Sequence, residues 1–87
     1  MKEIKSQEHL DNMARKGTPA RYWVGHVPGK DDFGIPIIDV FYDGKTRAGP
    51  WAFMTPAAFA NYGVGLGTGR GQKYERQADG RWLKTEG

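Results

Sequence analysis

Apolar positions change spacing several times along the chain, and each change marks an element. Leu10, Met13 and Ala14 recur at helical spacing after Ser6, a residue that caps helices, and Gly17 with Pro19 supplies a stop. A first helix is expected from Ser6 to about Lys16, with a narrow apolar stripe and a frayed start over residues 1–5. Arg21 to Val27 is rich in β-formers and reads as a strand ended by Pro28 and Gly29. Ile35 to Tyr42 alternates, placing Ile38, Val40 and Tyr42 on one face and Ile37, Asp39 and Phe41 on the other.

Asp43-Gly44 carries the composition of a turn. A short apolar run, Trp51 to Met54, leads into Thr55-Pro56, a capping hydroxyl before a proline at the first helical position. A second helix is expected over Pro56 to Tyr62, with Phe59 and Tyr62 to one side and a left-handed Gly63 as its stop. The chain closes in a hairpin, Tyr74 to Gln77 and Arg81 to Thr85, around Asp79-Gly80. A two-residue turn there pairs Glu75 with Lys84, Gln77 with Trp82 and Arg76 with Leu83. The sum is an α+β fold: a small single domain over residues 1–87, with an antiparallel sheet of about five short strands and two short helices.

Length bounds the fold, because 87 residues leave no room for a second core. No cysteine is present, so disulfides and thiol chemistry are excluded and a reducing compartment fits. With no signal-like segment and no long apolar run, the expectation is a cytoplasmic protein away from membranes. Charge is uneven. Residues 1–43 carry six Lys/Arg against seven Asp/Glu, and residues 44–87 carry seven against three, so the net +3 belongs to the second half. Eleven aromatic residues must supply much of the core.

The basic half sets the main functional expectation, a sequence-neutral nucleic-acid surface. Arg70, Lys73, Arg76, Arg81 and Lys84 contact phosphates in this reading, and Tyr74 and Trp82 stack on bases. The alternative is a protein-binding effector or inhibitor of a host system, using exposed aromatics such as Trp23, Trp51 or Trp82 as anchors. The glycine ladder from Gly63 to Gly71 invites an anion-binding reading, but it matches neither the Walker spacing nor the dinucleotide fingerprint, which opens a helix after a strand. Glycines that let the segment lie against the sheet or turn sharply explain it as well.

His9 and His26 lack nucleophile or metal-spaced partners, Asp31-Asp32 reads as a turn, and Asp39 reads as solvent-facing. No nucleophile, base and orienter set is present, so no enzyme, no cofactor, no metal and no small-molecule substrate is expected.

The segments Asp43-Gly44-Lys45-Thr46, Gly49-Pro50-Trp51-Ala52, Met54, and Gly63 through Tyr74 together resemble a pattern of small, uncharacterised phage and prophage proteins. The resemblance implies a zinc-knuckle scaffold whose Cys-x-x-Cys positions correspond to Lys30 and Phe33 and to Thr55 and Ala58. None of the four is cysteine here. It therefore implies a metal site replaced by packing, with Phe33 and Ala58 filling the space and the Lys30–Phe33 loop beside the start of the second helix.

Overall fold

The structure, a computed structural model, describes residues 20–87. Four strands, β1 (Val40–Lys45), β2 (Trp51–Met54), β3 (Gly71–Arg76) and β4 (Trp82–Glu86), and one helix, α1 (Pro56–Tyr62), make up its regular structure. All strand pairs are antiparallel in the order β2-β1-β3-β4. An α+β fold is thus present with four strands and one helix among the described residues. The expected first helix and the start of the chain lie outside them.

Alternation sends the aromatic residues to one face. Phe41, Phe53, Tyr74 and Trp82 share it by register, and Trp23 lies over them. Phe41 is fully buried at the centre, with the rings of Trp23, Phe53, Tyr74 and Trp82 at 5.1–5.4 Å. Such ring pairs contribute about 0.5–1.5 kcal/mol each beyond the area they bury. The opposite face carries Tyr42, Met54 and Leu83, and α1 packs there through Phe59, stacked 4.0 Å from Tyr42.

The expected strand at Arg21–Val27 is reduced to a single bridge, Tyr22 to Leu83. Trp23 N–H donates to the Trp82 carbonyl and Lys84 N–H to the Arg21 carbonyl, after which the chain leaves the sheet at Val24, 90% exposed. By Asp32 it has reached the other edge, where its N–H donates to the Phe53 carbonyl. One irregular segment therefore lies along part of β4 and part of β2, limiting the exposure of strand edges.

Asp43-Gly44 is not a turn; both residues lie inside β1, and the chain reverses at 46–50, where Thr46 N–H donates to the Pro50 carbonyl. Gly44 is needed for close approach: a β-carbon there would lie 3.0 Å from the Arg70 carbonyl oxygen and 3.1 Å from Gly71 Cα. Gly71 faces it, and its own β-carbon would meet the Gly65 carbonyl at 2.8 Å. The glycine ladder is thus a close-packed loop against the sheet. The expected strand from Ile35 starts only at Val40, because Lys30 pairs with Pro36 in a local bridge and Ile38 is exposed.

β2 and α1 match the sequence expectation, with Pro56 at the first helical turn and Thr55 Oγ1 accepting from Ala58 N–H at 3.4 Å. Gly63 is not left-handed; it is extended at φ −75°, ψ 154°, and its N–H donates to the Phe59 carbonyl. The final hairpin is shifted by one residue from the expected register. Its loop is three residues, Ala78-Asp79-Gly80, with Gln77 N–H on the Arg81 carbonyl and Gly80 at φ 91°. Arg76 consequently faces Trp82, Glu75 faces Leu83 and Tyr74 faces Lys84, until an irregularity at Lys73/Tyr74 pairs Lys73 with Glu86.

Candidate functional site

The seven residues expected to bind nucleic acid do not converge on one open surface. Register puts Tyr74, Arg76, Trp82 and Lys84 on the aromatic face and Lys73 on the other. Tyr74 is stacked 5.1 Å from Phe41 and Trp82 packs against the same ring, so both are core members rather than free platforms. Burial, then the nearby Asp43 charge, pushes the Tyr74 phenol above its ordinary value.

Most of the cations have local partners. Lys73 Nζ lies 3.4 Å from Glu86 and 3.7 Å from Glu75. Burial opposes its charge, but the Tyr42 phenol and the Glu75 and Glu86 carboxylates outweigh it and hold the ammonium above its usual range. Arg76 pairs with Asp39 at 3.1 Å and lies 6.0 Å from the Trp82 ring centroid, so Asp39, in the bend just before β1, is an ion-pair partner near solvent. Arg81 pairs with Asp79 at 2.7 Å and stacks 4.0 Å over Tyr22. Arg70 lies along the glycine loop beside Gly65 and Gly67. Arg70 and Lys84 are left without an ion pair among the described residues.

A different site forms where three separate segments meet at the β2 end of the sheet. Phe33 and Tyr62 stack at 4.4 Å, nearly parallel, and with Trp51, Ala52, Ala48 and Pro50 they wall a cleft of about 330 Å³. Phe33 is 41% exposed and Trp51 and Tyr62 are each 47% exposed, an unusual outlay of large rings on a small surface. Asp32 and Arg47 supply charge at the lining. Asp32 Oδ2 already accepts from Phe53 N–H at 2.8 Å, whereas Arg47 has no ion pair among the described residues. A mostly apolar concavity with a few polar groups is the common form of a binding site.

Asp31 fixes this wall in place. Its carboxylate, 5% exposed, accepts from Phe33 and Ile35 N–H through Oδ1 and from Thr55 N–H and hydroxyl through Oδ2, all at 2.8–2.9 Å. Burial raises its affinity for a proton, but the four hydrogen bonds outweigh burial and keep it below the ordinary carboxylate value. The Lys30–Phe33 loop thereby lies beside the start of α1. Phe33 does not fill an interior space next to Ala58; it stacks on Tyr62 at the far end of the helix and faces solvent.

A second cleft, about 270 Å³, is lined by Pro36, Ile38, Asp39, Val40, Thr55 and Pro56, with no aromatic wall. Among the described residues no cluster of His, Asp or Glu is arranged to hold a metal ion, and no helix is long and apolar enough to cross a membrane. His26 is exposed and His9 lies outside the described residues.

Against protein-family models, curated proteins and solved structures, the chain finds no match.

Of the cleft residues, only Trp51 was legible as a candidate anchor in the sequence. Phe33 and Tyr62 are 29 positions apart in the chain, and no local pattern joins them. The composition of the 46–52 segment, with Gly49-Pro50 before a tryptophan, was the one available signal.

Proposed function

We propose that this protein is a non-catalytic binding module that docks a partner protein in the cleft formed by Phe33, Trp51 and Tyr62. The observation that carries the reading is that three exposed aromatic residues, Phe33, Trp51 and Tyr62, line one concavity, next to a cation without an ion pair among the described residues. Large aromatic residues in a pocket dominate protein interfaces when a partner desolvates them. A phage-type effector or inhibitor acting on a bacterial host protein is a role consistent with such a module.

Nucleic-acid binding stands as the second reading, supported by the net charge of +3 and by Arg70 and Lys84, which have no ion pair among the described residues. It loses support from the pairing of Lys73, Arg76 and Arg81 and from the packing of Tyr74 and Trp82.

Affinity capture from bacterial lysate, run with and without nuclease treatment, separates the two. The immobilised native chain is compared with a Trp51→Ala/Tyr62→Ala variant and an Arg70→Ala/Lys84→Ala variant. Docking in the cleft predicts a protein retained by the native chain and by the basic-residue variant, and lost from the aromatic variant. Loss that follows nuclease treatment or the basic-residue variant instead refutes the proposal.

A further inference from the structure

Hydrogen-bond alternation along β2 reveals an open position beside the cleft. In an antiparallel ladder, residues direct both main-chain groups alternately toward one neighbour and then the other. Lys45 directs its N–H to the Arg70 carbonyl at 2.7 Å and its carbonyl to Val64 N–H at 3.2 Å, away from β2. Thr46 N–H meets the Pro50 carbonyl, so 46 and 50 form a hydrogen-bonded pair, and Lys45 with Trp51 is a non-hydrogen-bonded one. The N–H and C=O of Trp51 therefore point outward from the sheet edge.

Phe53, two residues further on, points the same way and is satisfied. Its N–H reaches the Asp32 carboxylate and its carbonyl takes Asp32 N–H. The covering segment then turns off the edge, because Asp31 Oδ1 gathers the N–H groups of Phe33 and Ile35 while Gly34 N–H folds back to the Asp31 carbonyl. The edge is covered at Phe53 and bare at Trp51 among the described residues. An exposed donor and acceptor pair next to an apolar cleft is the arrangement that accepts an added strand.

Resting on the cleft reading above, we infer that the occupant is an extended, acidic segment of a partner protein that adds as a short strand at Trp51. Its main chain pairs with the Trp51 N–H and C=O. One apolar side chain enters the cleft between Trp51 and the Phe33–Tyr62 stack, and a carboxylate faces Arg47. Charge complementarity selects the acidic sequence: Arg47 has no ion pair among the described residues, the lining carboxylate of Asp32 is already engaged, and the chain carries net +3.

The test uses a display library of random twelve-residue peptides panned against the full chain, with enriched peptides resynthesised for fluorescence polarisation. The expected result is enrichment of peptides combining Asp or Glu with an apolar residue. Methylating a single pairing amide of the peptide should weaken binding about tenfold, the equivalent of about 1.4 kcal/mol. Arg47→Glu should favour lysine-bearing peptides, and Tyr62→Ala should abolish binding, with thermal melts showing that both variants are folded. Binding lost in Tyr62→Ala but indifferent to methylation at every amide overturns strand addition and leaves the cleft reading standing. No enriched peptide, or peptides indifferent to Tyr62→Ala and Arg47→Glu alike, overturns both.

Discussion

Removing the Asp31 carboxylate should cost more stability than any exposed substitution in the chain. Asp31→Ala leaves three main-chain N–H groups and the Thr55 hydroxyl without their acceptor. Water replaces the bonds at Phe33 and Ile35, which are exposed, but Thr55 is only 4% exposed. Two hydrogen bonds to a charged group, at about 1.5–3 kcal/mol each, put the expected loss at roughly 3–6 kcal/mol. A chain of this size has about 4–13 kcal/mol in total, so the melting temperature should fall by at least about 15 °C. Asp31→Asn keeps one acceptor oxygen but turns an amide N–H₂ toward existing donors, and about 2 kcal/mol is expected.

Acid titration supplies an independent check on the same group. The folded-state pKa of Asp31 lies below its ordinary value of 3.8, so as pH falls through that value the unfolded chain takes the proton first. The stability contributed by Asp31 is complete above this range and is lost as pH falls through the lower folded value. Asp43 acts in the opposite direction, because burial raises its pKa and the folded state protonates first. Comparing the native chain with Asp31→Asn, in which Asp43 is unchanged, isolates the Asp31 component. Urea denaturation at pH 7 and between pH 2 and 5 measures both. A loss under about 1 kcal/mol in Asp31→Ala, or superimposable acid profiles for the native chain and Asp31→Asn, would refute the reasoning.

Further consequences concern packing, edges and charge. Gly71→Ala forces a β-carbon against the Gly65 carbonyl and should destabilise by about 1–3 kcal/mol in thermal melts, while Ala78→Ser in the exposed hairpin loop should be within about 0.5 kcal/mol of native. Phe41→Ala removes the centre of the ring cluster and should cost about 3–5 kcal/mol, read by the same melts. Amide hydrogen exchange in the free protein should be slow at Phe53, bonded to Asp32, and fast at Trp51. Oligonucleotide binding, measured by fluorescence anisotropy across a salt series, should be weak and abolished by Arg70→Ala/Lys84→Ala, with no contribution from Tyr74 or Trp82 stacking.

The elements that local chemistry specifies were legible in the sequence, and those set by distant contacts were not. β2 and α1 follow from β-formers running into a Thr-Pro cap, and their bounds hold. β1 was misplaced because Asp43-Gly44 has turn composition, whereas the need for Gly44 comes from Gly71 and the Arg70 carbonyl, some 26 positions away. A three-residue loop in place of two shifted the last hairpin by one position, which changed which side chains oppose each other. Charge asymmetry was a correct count, but pairings such as Asp39 with Arg76, 37 positions apart, decide which cations remain available. The cleft depends on the Asp31 hydrogen bonds that bring residues 31–33 against β2 and α1, and no periodicity encodes those.

The central claim, that partners engage the Phe33, Trp51 and Tyr62 cleft, is tested most directly by mapping amide chemical shifts of the labelled chain on addition of its captured partner or an enriched peptide. Docking in the cleft predicts changes concentrated at Asp32, Phe33, Arg47, Trp51 and Tyr62, with Arg70 through Lys84 unmoved. Changes concentrated at Arg70 through Lys84, with the cleft amides unmoved, would contradict it.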